Sequence, residues 1–305
     1  AETGRFVGHI AGFSRRFRMN GTDLRGLVLG DLLVHRDWRR GGLGRRLITT
    51  PVSLVQGRRF DFVLAFSFPR AFPRAHPLFL KLGFRDLGPF REYVDLRHSA
   101  ATLRRHLAPA ALLSPPVDAL LALRRWLYHR RRGLAKVSRR WRVERAKTDE
   151  IATAGLHHWR GPPDRIASND SYDFIIRRYF TDPGVSHALF AIRHGATGRL
   201  DGYAIVGLED RRPTVFDCRT NAEFLDVPTA VTLVGARLPP HNYSYVVATT
   251  DGWLGRELST CGFIKRPTSS DAPFFLLAYW ELTHPLAAKF AVRDNWTLFL
   301  GAAEF

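Results

Sequence analysis

The sequence predicts an α/β (α+β) protein of two similar lobes, each a mixed, mostly antiparallel sheet flanked by helices. Three observations lead there. Residues 5–19 alternate apolar and polar, Asn20-Gly21 is a strong two-residue turn signal, and residues 22–34 resume as a strand, so the chain opens on a β-hairpin. A strand–turn–helix unit follows: the apolar end Leu32-Leu33-Val34, a turn rich in arginine and glycine over 39–46, and a helical pattern over roughly 42–56. The second half repeats this kind of alternation, and its Cys261-Gly262-Phe263-Ile264-Lys265 parallels Leu82-Gly83-Phe84-Arg85.

The remaining elements fall in order. The apolar run 61–66 reads as a strand, and a short helix ends in Leu78-Phe79-Leu80-Lys81-Leu82-Gly83-Phe84. Residues 98–135 form a helical connection interrupted by Ser114-Pro115-Pro116. Strand-like runs follow at 187–193, 202–208, 214–218, 245–248 and 274–280, with a hairpin turn at 195–199 and helical patterns near 221–237 and 253–261. The division is a first lobe over 1–97, a basic helical linker over 98–139 and a second lobe over 140–305.

A chain of 305 residues, 45% hydrophobic, can bury one large or two medium cores. It has no apolar run near 18 residues and no signal-peptide pattern, which argues against a membrane span or secretion and for the cytoplasm. Cys218 and Cys261 are its two cysteines, too few to suggest a disulfide framework or a zinc site; no metal is expected. The net charge of +18 is concentrated between Arg124 and Lys147, where Trp126, Tyr128 and Trp141 are interleaved. Such a pattern occurs on single-stranded nucleic-acid surfaces, but a solvated linker helix is the favoured reading. Monomer and homodimer both stay open.

The turn at 39–46 carries the chemistry. A helix N-terminus presents unpaired amides and positive dipole density, a seat for phosphate. Gly41, Gly42 and Gly44 let a ligand approach the backbone, and Arg39, Arg40, Arg45 and Arg46 add charge. Arg45-Arg46 stands where a Walker loop needs Lys-Ser/Thr, and Leu47 where the dinucleotide fingerprint needs its third glycine. What remains is Arg39-x-x-Gly42-x-Gly44 after a strand leading into Val34-His35-x-Asp37. This resembles motif A of the GNAT acyl-CoA N-acyltransferase superfamily, the pyrophosphate seat for coenzyme A. The segment 78–84 resembles that family's motif B ending, Phe-Tyr-x-Lys-x-Gly-Phe. Tyr172-Asp173-Phe174-Ile175-Ile176-Arg177-Arg178-Tyr179 and the following residues to Pro183 resemble a Tyr-Leu-x-Trp-Arg-Tyr-x-x-x-Pro stretch found in tandem members.

The resemblance implies an acetyl-CoA-dependent transfer to a primary amine of a small molecule, an amino sugar or biosynthetic intermediate among the options. Alternatives are a longer acyl-CoA donor, or a non-catalytic module binding CoA or nucleic acid. It implies splayed strands four and five in the first lobe, with amides of Leu32, Leu33 and Val34 facing the pantetheine and thioester. Backbone from Gly41, Gly42, Leu43, Gly44 and Arg45, with Arg39, Arg40 and Phe79, would complete the cofactor seat. Asp31 stands where many members carry a strand-four glutamate, and it shares the general-base role with a structural alternative; His9, His35 and Glu92 are weaker candidates. Phe79 occupies the motif B tyrosine position and cannot donate a proton, so Ser67 and His76 are the substitutes considered. The second lobe lacks the glycines, since Arg219-Thr220-Asn221-Ala222-Glu223 follows its corresponding strand, and is expected not to bind CoA. The family places a strand and one or two helices before this hairpin; with the sequence opening at it, the second lobe is one possible source of that wall.

Overall fold

A computed structural model describes residues 4, 6–70, 72–96, 114–131, 133, 139–150, 164–169, 171–181, 186–208, 212–221, 223–239, 244–250, 252–266 and 274–299. Strands β1 (Gly8–Met19) and β2 (Thr22–Val34) pair antiparallel through Met19 and Thr22. Asn20 and Gly21 between them both take positive φ (51° and 75°), as a two-residue type I′ hairpin turn requires. Then come α1 (Leu43–Gln56), β3 (Phe62–Ser67), α2 (Ala75–Lys81) and β4 (Arg85–Leu96).

Helix α3 (Ser114–Arg131) lies in the connection, most of whose other residues are outside the described set. Ser114-Pro115-Pro116 forms the first described turn of this helix, where proline lacks only an N–H that a first helical turn cannot use; the helical pattern read from sequence over 98–113 lies outside the described residues. Beyond it lie β5 (Trp141–Arg145), β6 (Ile166–Ser168), α4 (Tyr172–Phe180), β7 (His187–His194), β8 (Leu200–Gly207) and β9 (Thr214–Thr220). They are followed by α5 (Val227–Arg237), β10 (Ser244–Thr250), α6 (Trp253–Thr260), β11 (Ile264–Lys265), β12 (Phe275–Tyr279), α7 (Ala287–Phe290) and β13 (Trp296–Thr297). The helix read from sequence at 221–237 starts only at Val227, where Asp226 caps it and Pro228 fits its first turn.

The strands form one continuous sheet in the order β13-β6-β1-β2-β3-β12-β4-β10-β9-β8-β7-β5, with β11 also on β4. Two features of this order matter for function. Strand β12, read from sequence as part of the second lobe, lies between β3 and β4, antiparallel to both. Its Leu277 packs on the α1–α2 face, while Leu276 and Ala278 pack on the opposite face. Strand β4 joins the lobes: residues near its start pair with β12, and Phe90 to Leu96 pair with β10. The second half also supplies β6, which extends the sheet beyond β1 through Phe17↔Ser168 and Arg18↔Ala167.

On one face of the first lobe, α1 and α2 cover Leu27, Leu29, Val63 and Ala65. The other face buries Phe17, Val28, Phe62 and Leu64 with Phe290 and Trp296 from the C-terminal part, and the Phe62 ring meets both edge-on at 5.4 and 5.1 Å. In the second lobe α5 is buried along nearly its whole length, with Ala230, Val231 and Val234 fully enclosed. Helix α4 packs Ile175 and Tyr179 on the opposite face of that lobe's sheet.

Candidate active site

Strands β2 and β3 run parallel and pair over Gly26↔Phe62 to Leu29↔Ala65, and no further. Beyond that point β2 continues to Val34 with β1 alone, and β3 continues to Ser67 beside β12. Backbone groups on the facing edges are therefore left without their sheet partners at the parting, which is the requirement for an extended ligand to add itself as a strand. A bulge marks the same place. His9 pairs with Leu33 and Ala11 with Gly30, so Ile10 of β1 faces both Asp31 and Leu32 of β2. Asp31 takes φ 48°, its side chain is exposed, and its carbonyl accepts from His9 Nδ1 at 3.1 Å.

A short 3-10 turn over Arg36–Trp38 leads from β2 into the cradle. His35 caps it, its Nδ1 accepting the Asp37 N–H at 3.4 Å, so this histidine is structural. Arg39 donates from Nε to the Val34 carbonyl at 3.1 Å, which ties the turn to the strand end. Arg40 and Gly42 both lie in the left-handed region, at φ 74° and 79°. A β-carbon at Gly42 would meet open space, so its backbone angle is what calls for glycine. At Gly44 a β-carbon would make only ordinary contacts, 3.7 Å to Leu78 and 3.8 Å to Val34. Packing within the fold therefore does not require glycine there. The helical ladder begins with Arg46 N–H to Gly42 C=O, so the amides of Leu43, Gly44 and Arg45 precede it. Arg40, Arg45 and Arg46 are exposed around them.

Ser67 and His76 lie at the far end of the parting. Ser67 ends β3, two residues past the last β2–β3 pair, and is in register with Phe275 of β12. The His76 ring stands edge-on to the Phe275 ring at 5.4 Å, with Nε2 3.7 Å from Asp86 Oδ2. Ser67 Oγ and His76 Nδ1 are both buried and have no hydrogen-bond partner among the described residues. Asp86 and Phe275 escaped sequence reading: one is an ordinary acid after Phe84-Arg85, and the other arrives from a distant strand.

Two candidates are placed elsewhere. Phe79 is 5% exposed and packs edge-on against Phe84 at 4.9 Å, inside the core under α2. Leu78 is the α2 side chain beside the cradle, so Phe79 is corrected from a cofactor contact to a core residue. Glu92 accepts from both Arg212 and Arg266 at 2.6 and 2.7 Å, which holds it as an interlobe ion pair rather than a base. Tyr279 does not replace the absent tyrosine, because it pairs with Val63 at the other end of β3, where burial pushes its phenol up.

The second lobe has a similar strand pair without the cradle. Strands β9 and β10 pair in parallel only over Thr214↔Val246 and Val215↔Val247, and α5 follows β9. The N-terminus of α5 is closed by its own carboxylate: Asp226 accepts the Thr229 N–H at 2.8 Å and the Thr229 hydroxyl at 2.9 Å. A negative cap in that place repels phosphate. The C-terminal part occupies the edge of β10, where Thr249 and Thr250 donate to the Leu298 and Trp296 carbonyls.

Much of the basic linker helix is spent on its own contacts. Arg124 lies over Tyr128 at 5.4 Å and Arg130 over Trp126 at 5.2 Å, while Arg125 pairs with Asp95 at 3.2 Å. Among the described residues there is no group of three or more His, Cys, Asp or Glu able to hold a metal, and no helix long and apolar enough to cross a membrane. Cys218 and Cys261 are buried and not joined in a disulfide, and burial pushes the Cys218 thiol well up.

A parallel strand pair that parts beside a glycine-opened helix N-terminus, within a mostly antiparallel sheet, defines the N-acyltransferase fold class. Residues 1–84, which hold the hairpin, the cradle and α2, match the acetyltransferase (GNAT) family, and this part of the chain is of GNAT type. Solved structures extend the likeness in fold to both lobes. An Enterococcus faecalis protein described as a probable N-acyltransferase is 8% identical, with TM-score 0.56 over 90% of this chain and 59% of that one. A GCN5-related N-acetyltransferase from Kribbella flavida is 11% identical, with TM-score 0.55 over 93% and 58%. Saccharomyces cerevisiae N-myristoyltransferase with bound myristoyl-CoA is 11% identical, with TM-score 0.51 over 93% and 66%. The chain thus spans under two thirds of the length of each. No curated protein matches it in sequence.

Proposed function

We propose that this chain transfers an acetyl group from acetyl-CoA to a primary amine of a small molecule. The observation that carries the reading is the parting of β2 and β3 after Leu29↔Ala65 beside the free amides of Leu43, Gly44 and Arg45. In this reading the pyrophosphate sits on the cradle formed by Gly41, Gly42, Leu43, Gly44 and Arg45, with Arg39 and Arg40 beside it. The pantetheine arm adds to the free edge of Leu32, Leu33 and Val34, and an amide there polarises the thioester carbonyl.

The amine attacks the carbonyl carbon, a C–N bond forms and the C–S bond breaks. Before the attack Asp31 takes one proton from the ammonium, directly or through water, to free its lone pair; the nitrogen sheds a second proton as the amide forms, and the leaving thiolate acquires one. Ser67 and His76 are the donors assigned to the thiolate, with Asp86 positioning the imidazole. A longer acyl donor is the second reading. It is favoured by a wall of Phe66, Phe68, Phe90 and Phe274 beside the end of β3, with ring centroids 4.8 to 5.7 Å apart.

Calorimetric titration tests the donor side. Wild type is expected to bind acetyl-CoA, and Gly42→Glu to lose at least about tenfold in affinity, because it forces a side chain into a left-handed backbone and adds negative charge at the phosphate seat. Circular dichroism checks that the variant is folded. Absence of acetyl-CoA binding by wild type, or undiminished binding by the variant, would overturn the reading.

A further inference from the structure

The opposite face of the sheet carries a second feature that the donor side does not use. Between β1 and α4 lies a cavity of ≈ 490 Å³ lined by Phe13, Arg15, Asp173, Phe174, Arg177 and Arg178. Its position follows from the topology. Phe13 and Arg15 share a face of β1 with Phe17 and Met19, which pack in the core on the side away from α1 and α2. Helix α4 fixes Ile175 and Tyr179 into the second lobe and turns Phe174, Arg177 and Arg178 toward the cavity, so the site lies between the lobes.

Its chemistry is that of an anion pocket with flat apolar walls. Three guanidinium groups meet one carboxylate among the lining side chains. Arg15 is 5% exposed and stacks over the Phe174 ring at 4.8 Å, which holds its charge in place at the cavity wall. Arg178 Nη2 is buried and has no hydrogen-bond partner among the described residues. Leaving such a donor unmet costs on the order of 1–3 kcal/mol, and a turn of the Arg178 side chain would bring it to an oxyanion in the cavity. Arginine's planar fork suits carboxylate or phosphate, and Phe13 and Phe174 suit a ring or other flat body.

Phe13 pairs with Val28, one residue before the last β2–β3 pair, and only β2 separates it from the parting. Neighbouring strands are about 5 Å apart. We infer that this cavity holds the acidic end of the acceptor, an amine that also carries a carboxylate or phosphate on an aromatic or similarly flat body. The acceptor assignment rests on the acyl-transfer reading above; the anion pocket itself does not.

Binding and turnover test the two separately. Titration with benzoate, phenyl phosphate and neutral benzamide is expected to show saturable binding of one or both anions and at least tenfold weaker binding of the amide. Arg178→Gln and the more exposed Arg177→Gln are expected to weaken the bound anion tenfold or more while acetyl-CoA affinity and thermal unfolding stay unchanged. In turnover with acetyl-CoA, 4-(aminomethyl)benzoate is expected to have a KM at least tenfold below that of 4-(aminomethyl)benzamide, and Arg178→Gln to abolish the difference. Anions binding no better than benzamide, or binding to both variants as tightly as to wild type, would overturn the pocket. Anion binding with no acetyl-CoA binding would overturn the acceptor assignment and the acyl-transfer reading, and leave the pocket standing.

Discussion

Asp31 joins an uncommon backbone to an exposed carboxylate. Its φ of 48° lies where a non-glycine residue is uncommon, and aspartate and asparagine tolerate it best. Asp31→Asn is therefore expected to keep the bulge and leave stability within about 0.5 kcal/mol, since surface changes of this kind cost little. Turnover is expected to fall by about 10²-fold or more at neutral pH, the size of a lost general base. The deficit should shrink as pH rises through the pKa of the acceptor amine, because the amine then arrives without the proton Asp31 removes. A pH–rate profile beside a denaturant melt checks this, and full turnover at neutral pH would return Asp31 to a structural role. At this scale the sequence proposes Asp31, Ser67 and His76 because each lies within a few residues of a recognisable motif. It does not propose Asp86 and Phe275, because only the folded chain brings them to His76. Phe79 was misread because a motif position says nothing about which way the side chain faces.

The same strand–helix arrangement occurs twice with opposite electrostatics. Gly42 opens α1, and Asp226 closes α5 with two hydrogen bonds to Thr229. The absence of glycines after β9 is legible in the sequence, whereas periodicity alone carries the helix back to 221 and hides the cap. Asp-Val-Pro at 226–228 is a cap followed by an early proline, a local signal that outweighs periodicity at a helix start. Asp226→Ala removes the cap from a helix that is buried almost throughout, and is expected to cost about 1–2 kcal/mol. Acetyl-CoA affinity should not change, because the donor seat lies in the other lobe. Urea melts and calorimetry on the one variant measure both quantities. Acetyl-CoA affinity falling along with stability would mean that the lobes do not divide these tasks.

The whole molecule is held together by a strand out of sequence order. The apolar run over 274–280 announces a strand and nothing about its neighbours, because pairing across some two hundred residues leaves no local trace. In the structure β12 fills the gap between β3 and β4, and β6 and β13 extend the sheet beyond β1. Phe290 and Trp296 also close over Phe62. A fragment of residues 1–97 would keep the cradle and the hairpin but lose β12 from β3 and both β12 and β10 from β4, baring one edge of β3, both edges of β4 and the apolar surface that β12 covers. Such a fragment is expected to show no cooperative thermal transition and no acetyl-CoA affinity, with near-UV circular dichroism and calorimetry as the measurements. Mixing it with a fragment of residues 98–305 should restore both, since β12 would again reach its slot. A 1–97 fragment that melts cooperatively and binds acetyl-CoA alone would show that the donor site needs no strand from the second half. The exchange of strands would then serve the cleft between the lobes, where Arg15 of β1 meets Phe174 of α4.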